Sequence, residues 1–261
     1  MFGTTSLFVA IYLATFISSG YVARITGSSF FYWPALLAAA VATMGTIAII
    51  ERGRWDIGFI VPPVPAVRDF AVGLVFAAAL IGIADVIVLA TTSMRHTAGS
   101  GFPWYALWMI YIPAAIHEEV LFRGYLFQRA YSIHRGAGIV VSSVVFAALH
   151  ANNVGVSWIA MMNLLLAGVF LALAWERHRR LWLPIGIHLG WNIASGPILG
   201  YGVSGFSPEA SVLQTLGRGP AWLTGSAFGI EGSVAATVVE VIGIAVLWRR
   251  GMLIRHSTFN I

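Results

Sequence analysis

Apolar residues run through this chain in long blocks with brief polar interruptions. The blocks fall at about 6–24, 31–50, 70–91, 103–128, 137–151, 156–175, 181–200 and 234–249. Runs that approach or exceed ~18 residues read as membrane-spanning helices. The pattern predicts an all-α, polytopic transmembrane helix bundle of about eight spans, built as a single integral membrane domain over residues 1–261. The fourth block is the longest, and from His117 onward it becomes rich in charge. The fifth is short for a full crossing. Two stretches are not spans. Trp55 to Val67 carries Pro62, Pro63 and Pro65 and is expected to lie along the membrane interface. Tyr201 to Ser233 is glycine-rich and is expected to form an external loop, with Trp222 and Phe228 resting on the membrane surface.

Composition sharpens this class. The chain is 59% hydrophobic and 10% charged, against roughly 25% charged residues in soluble globular domains. All fifteen basic residues are arginine, and the net charge of +5 comes from short clusters between apolar runs. That spacing points to the lipid bilayer as partner, not to nucleic acid. The clusters alternate along the chain. The second, fourth and sixth connections and the tail are arginine-rich: Arg52, Arg54 and Arg68; Arg129 and Arg135; Arg177, Arg179 and Arg180; Arg249, Arg250 and Arg255. The first, third and seventh hold only Arg24, Arg95 and Arg218, and the fifth holds none. Basic connections stay on the cytoplasmic side. Both termini are therefore expected in the cytoplasm, with the plasma membrane of a prokaryote as the expected location. Met1 to Ser6 carries no basic residue and reads as the start of an uncleaved first span. Cysteine is absent, which removes disulfides, thiolate zinc sites and a cysteine nucleophile.

Ionisable groups inside spans are costly and mark function by default. Here they are Asp85, His117, Glu118, Glu119, Arg123, His150, His188 and Glu240. In His117-Glu118-Glu119-Val120-Leu121-Phe122-Arg123, Glu119 and Arg123 are four apart and share a helical face, where each neutralises the other. Glu118 is rotated by about 100° from Glu119. It is left without an in-helix cation and free to exchange protons. The competing reading is a single structural charge cluster. In Phe146-Ala147-Ala148-Leu149-His150 the first and last residues share a face; a lone histidine there is more often structural. His188 and Asn192 are also i and i+4, so both project toward one oxygen; otherwise they are a helix-packing pair. Depth offers a crude test. Glu118 lies 14 residues before Ser132, and His150 lies 14 after Gly136, each ~21 Å of helix. His188 lies 7 residues after Leu181, only ~10 Å, and is expected to be shallower unless its helix starts inside the bundle.

Taken in order on separate helices, Glu-Glu-x-x-x-Arg, Phe-x-x-x-His and His-x-x-x-Asn resemble the CPBP family. These are CAAX-type intramembrane proteases and bacteriocin-processing relatives, among them the type II CAAX prenyl endopeptidases. The resemblance covers a core of about 102–200 and implies an eight-helix membrane bundle with its site on spans four, five and seven. It implies that Glu118 and His150 activate water, that His188 and Asn192 stabilise the oxyanion, and that Glu119 and Arg123 support them. The implied substrate is a membrane-embedded or lipidated peptide, with no cofactor.

Three alternatives stand beside it. A zinc protease would use Glu118, His150 and His188 as ligands, although Leu121 replaces the second histidine of a His-Glu-x-x-His motif. Gly202-Val203-Ser204-Gly205 suggests a serine nucleophile but falls in an expected external loop. A transporter or immunity protein would use Asp85 and Glu240 as an ion path, though no inverted repeat accompanies them.

Overall fold

The computed structural model describes residues 2–25 and 32–258. Met1, residues 26–31 and residues 259–261 lie outside it, and with them the expected start of the second span and Ile261. The described chain is mostly helical. Three long helices come first: α1 (Phe2–Ile25), α2 (Trp33–Ile50) and α3 (Pro63–Thr91). After strand β1 (Arg95–Ala98) come the single turn α4 (Trp104–Ala106), a π-helical stretch (Leu107–Tyr111), α5 (Ile112–Arg123), α6 (Tyr125–Ile133) and α7 (Arg135–Leu149). Then follow α8 (Trp158–His178), α9 (Trp182–Ile193), a second π-helical stretch (Ala194–Ile198), β2 (Leu213–Leu216), the short α10 (Ala221–Thr224) and α11 (Val234–Thr258).

Three of these helices, Trp33–Ile50, Pro63–Thr91 and Trp158–His178, are long and apolar enough to cross a membrane; Gly3–Ser19 and Arg135–Leu149 are shorter apolar helices. Their outward faces suit hydrocarbon. Val75 and Val86 on α3, Val140 and Val144 on α7, and Val241 on α11 are all exposed. Contiguous apolar surface of this kind is rare on a soluble monomer. The molecule is an integral membrane protein.

The core lies where α3, α8, α9 and α11 meet, around Ile81, Phe170, Trp175, Ile187 and Val239. Glycine lets α3 and α9 touch backbone to backbone. A Cβ at Gly186 would sit 2.2 Å from the Phe70 carbonyl oxygen, and one at Gly190 would sit 2.5 Å from that of Leu74. Between membrane helices, where no hydrophobic drive distinguishes side chain from lipid, such close approach supplies the packing. α7 is capped by the His134 ring, which accepts from the Ala137 amide, and α8 by the Ser157 hydroxyl, which accepts from the Ala160 amide.

Ion pairs bring the arginine-rich connections together at one end. Arg129 meets Glu51 at 3.1 Å, Arg135 meets Glu176 at 2.6 Å and Arg180 meets Asp69 at 3.0 Å. The arginine-poor connections meet elsewhere, where β1 pairs antiparallel with β2 (Arg95 opposite Leu216) and the Ser93 amide donates to the Arg218 carbonyl.

Several expectations are corrected. The third helix starts at Pro63, so the last five residues of the expected interfacial stretch are helical; proline is at home in a first turn, where its missing N–H is not needed. The fourth block is not one helix. Gly124 adopts ψ −140° and turns the chain between α5 and α6. The all-α expectation missed a two-stranded sheet, because four-residue strands are too short to show an alternating pattern. Phe228 is fully buried and does not rest on a membrane surface. The segment from Tyr201 to Ser233 is not a plain loop. It carries β2, α10 and two short 3₁₀ turns.

Candidate active site

Helix α5 enters the bundle through the π-helical stretch before it, and Pro113 occupies its first turn. Helix α9 leaves through the second π-helical stretch, which contains Pro197. The two irregular stretches meet: a Cβ at Gly196 would lie 3.0 Å from the Tyr111 hydroxyl. π-helical turns widen a helix locally and recur near functional sites. Here they flank the segments that carry Glu118 and Glu119 on one side and His188 and Asn192 on the other.

The i, i+4 spacing places Arg123 against Glu119, 3.1 Å apart, with both side chains fully buried. Arg123 also donates to the Gly168 carbonyl at 3.1 Å, and its guanidinium lies 4.9 Å from the Phe146 ring centroid. Glu119 has a second partner that spacing did not reveal. Its Oε1 is 2.8 Å from His188 Nδ1.

Glu118 faces the other way. Its Oε2 is 3.8 Å from His150 Nε2 and 3.9 Å from His188 Nε2. Both separations meet an ion-pair distance, yet the same oxygen makes no hydrogen bond. The gaps are too long for direct bonds and match the span of one bridging oxygen. The ring of His150 is fixed by its other nitrogen, which lies 2.8 Å from the Phe146 carbonyl oxygen. A carbonyl only accepts, so Nδ1 carries the proton and Nε2 of the neutral ring is the basic nitrogen, turned toward Glu118. The Phe146 ring lies beside it, tilted by 43°, at 4.8 Å between centroids.

Glu118, His150, His188 and Asn192 line one cavity of about 710 Å³. The shallow depth expected for His188 does not keep it away. α9 begins where the Leu181 amide donates to the Gly58 carbonyl, and its His188 ring still reaches Glu119. Sequence reading missed other contributors. Tyr12 of α1 reaches the His117 Nε2 at 3.0 Å. Ser204 lines the cavity too, although it sits in the segment expected to be an external loop. The Ser204 hydroxyl and amide both donate to Glu231 Oε2, at 2.9 and 2.5 Å, so its partner is a carboxylate and not a histidine. Burial pushes the Glu231 carboxyl up, opposed by these two Ser204 bonds. No spacing signal links Glu231 to the motifs, because it arrives from a segment without regular periodicity. Among the described residues, no group of three or more His, Asp and Glu side chains is disposed to hold a metal ion.

Fold and site together define a helical integral membrane protein whose cavity presents carboxyl, imidazole and amide groups, among them Glu118, His150, His188 and Asn192. Residues 100–194 match the family model described as type II CAAX prenyl endopeptidase Rce1-like. The match supports membership of the CAAX-type, or CPBP, family, which is a family of proteases. No curated protein matches the chain.

Proposed function

We propose that this protein is an intramembrane endopeptidase that hydrolyses a peptide bond of a membrane-embedded or lipidated protein, within a catalytic core of about 102–200. The observation that carries the reading is that Glu118, His150, His188 and Asn192 line one cavity although they come from three helices. Glu118 and His150 Nε2 hold a water between them, and the carboxylate takes its proton as the oxygen attacks the scissile carbonyl. Asn192 and His188 donate to the oxyanion that develops. Donation from His188 Nε2 requires the doubly protonated ring, since Nδ1 faces Glu119. The proton held by Glu118 then passes to the leaving amine, the carbonyl re-forms, and no covalent intermediate is needed. Glu119 and Arg123 position His188. The basic end of the bundle faces the cytoplasm, as arginine-rich connections do.

The test compares membrane peptides of cells carrying the wild type and Glu118→Gln. A peptide that accumulates uncut only in the variant supports the reading. An identical peptide inventory removes it. Chelation of purified, active protein decides the cofactor: activity that survives fits water activated by side chains, and activity lost to chelator and restored by zinc replaces that mechanism with a metal-centred one.

A further inference from the structure

Asp85 and Glu240 are carboxyl groups within helices of the bundle and outside the site motifs, and their surroundings differ. Asp85 on α3 is fully employed. Its carboxylate lies 3.0 Å from His96 Nε2 and accepts from the Tyr201 hydroxyl at 2.7 Å. His96 is in turn 3.1 Å from the Thr215 hydroxyl. That network fastens β1 and β2 to α3, and no ligand is required to explain it.

Glu240 on α11 is the opposite case. It is 3% exposed, and its Oε2 has no hydrogen-bond partner. It lines the same cavity as Glu118. A second carboxyl, Glu231, also lines the cavity. Nearby polar groups do not turn to it. The Asn163 amide donates to the Glu231 and Ser233 carbonyls at 2.7 and 2.8 Å, and its oxygen accepts from the Thr237 hydroxyl at 2.6 Å. Among the described residues no arginine lines the cavity, and Arg123 is fully buried against Glu119. A buried carboxyl without a partner is costly in hydrocarbon surroundings, and such groups in membrane helices face interiors where a partner binds.

We infer that the Glu240 carboxyl forms the acidic wall of a substrate subsite in this cavity, and that the subsite takes the basic side chain, lysine or arginine, of the peptide being cut. This deepens the protease reading and rests on it for the identity of the occupant. The cavity volume of about 710 Å³ falls within the range of roughly 300–1,000 Å³ that holds an organic ligand. Apolar Phe170 and Leu171 of α8 line the same cavity. It suits the methylene stem of a long basic side chain, with the charged head at the carboxyl.

The experiment measures binding, so it does not depend on turnover. Two fluorescent, apolar, membrane-spanning peptides are titrated into purified Glu118→Gln protein in detergent. One carries a single lysine and the other norleucine in its place. The lysine peptide should bind about ten-fold tighter, equivalent to 1.4 kcal/mol. In the Glu118→Gln/Glu240→Gln protein the ratio of the two affinities should fall to about one. Glu240→Asp, which keeps the charge, should restore most of the preference. The ratio cancels any loss of folded protein. Equal binding of the two peptides, a preference that survives Glu240→Gln, or no saturable binding of either would overturn the subsite. Failure of the protease reading shows separately, as absence of cleavage by wild-type protein while the lysine preference persists.

Discussion

Glu119 Oε1 stands between two nitrogen groups, the Arg123 guanidinium at 3.1 Å and the His188 Nδ1 at 2.8 Å. One oxygen therefore ties the fourth block of the sequence to the seventh. Glu118, the residue before it in the chain, is turned by about a quarter of a helical circle and meets the cavity side of the two histidines.

This division separates the roles of neighbouring residues. Glu118→Gln should abolish cleavage while leaving folding intact, because Glu118 makes no hydrogen bond that holds the bundle together. Arg123→Ala should instead lower thermal stability and yield, since it strands a buried carboxylate at a cost of ~3–5 kcal/mol. Melting curves of both purified variants, set beside a cleavage assay, check this. Full turnover in Glu118→Gln with loss in Glu119→Gln would reverse the two roles.

Asn192 lines the cavity one helical turn beyond His188. Removal of one oxyanion donor typically slows an enzyme by roughly 10²–10³-fold. Asn192→Ala should show a fall of that order in kcat with little change in KM. A change confined to KM would make Asn192 a binding residue only.

Gly186 decides where α9 sits. Its missing side chain lets the Phe70 carbonyl approach within 2.2 Å of the Cβ position. Gly186→Leu should push α9 from α3, destabilise the protein by ~1–3 kcal/mol or more, and reduce activity by displacing His188. Wild-type melting and turnover in this variant would show that the contact is slack.

Sidedness is open to direct measurement. Reporter fusions near Gly217, at the arginine-poor end, and near Arg180, at the arginine-rich end, should report opposite sides, with Arg180 cytoplasmic. A fusion at Ile261, outside the described residues, should also report cytoplasmic. A cytoplasmic Gly217 would overturn the orientation.

Much of this molecule is determined along the chain itself. Long apolar blocks fix the helices, because hydrocarbon leaves the backbone no partner but itself. The four-residue spacing fixes the Glu119–Arg123 pair, since helical geometry alone brings those side chains together. The same spacing groups Phe146 with His150 and His188 with Asn192. What lies between helices was decided only by tertiary packing. The second partner of Glu119, the gap between Glu118 and the imidazoles, and the entry of Ser204 and Glu231 into the cavity all join residues distant in sequence. Periodicity records which side of a helix a residue occupies and carries nothing about what packs there. His188 illustrates the difference. Residue counting set it too shallow. Glycine-mediated contact holds α9 against α3, and in that packing its ring meets Glu119 at 2.8 Å. Depth along a helix follows from sequence only once the starting point of that helix is known, and packing sets that point.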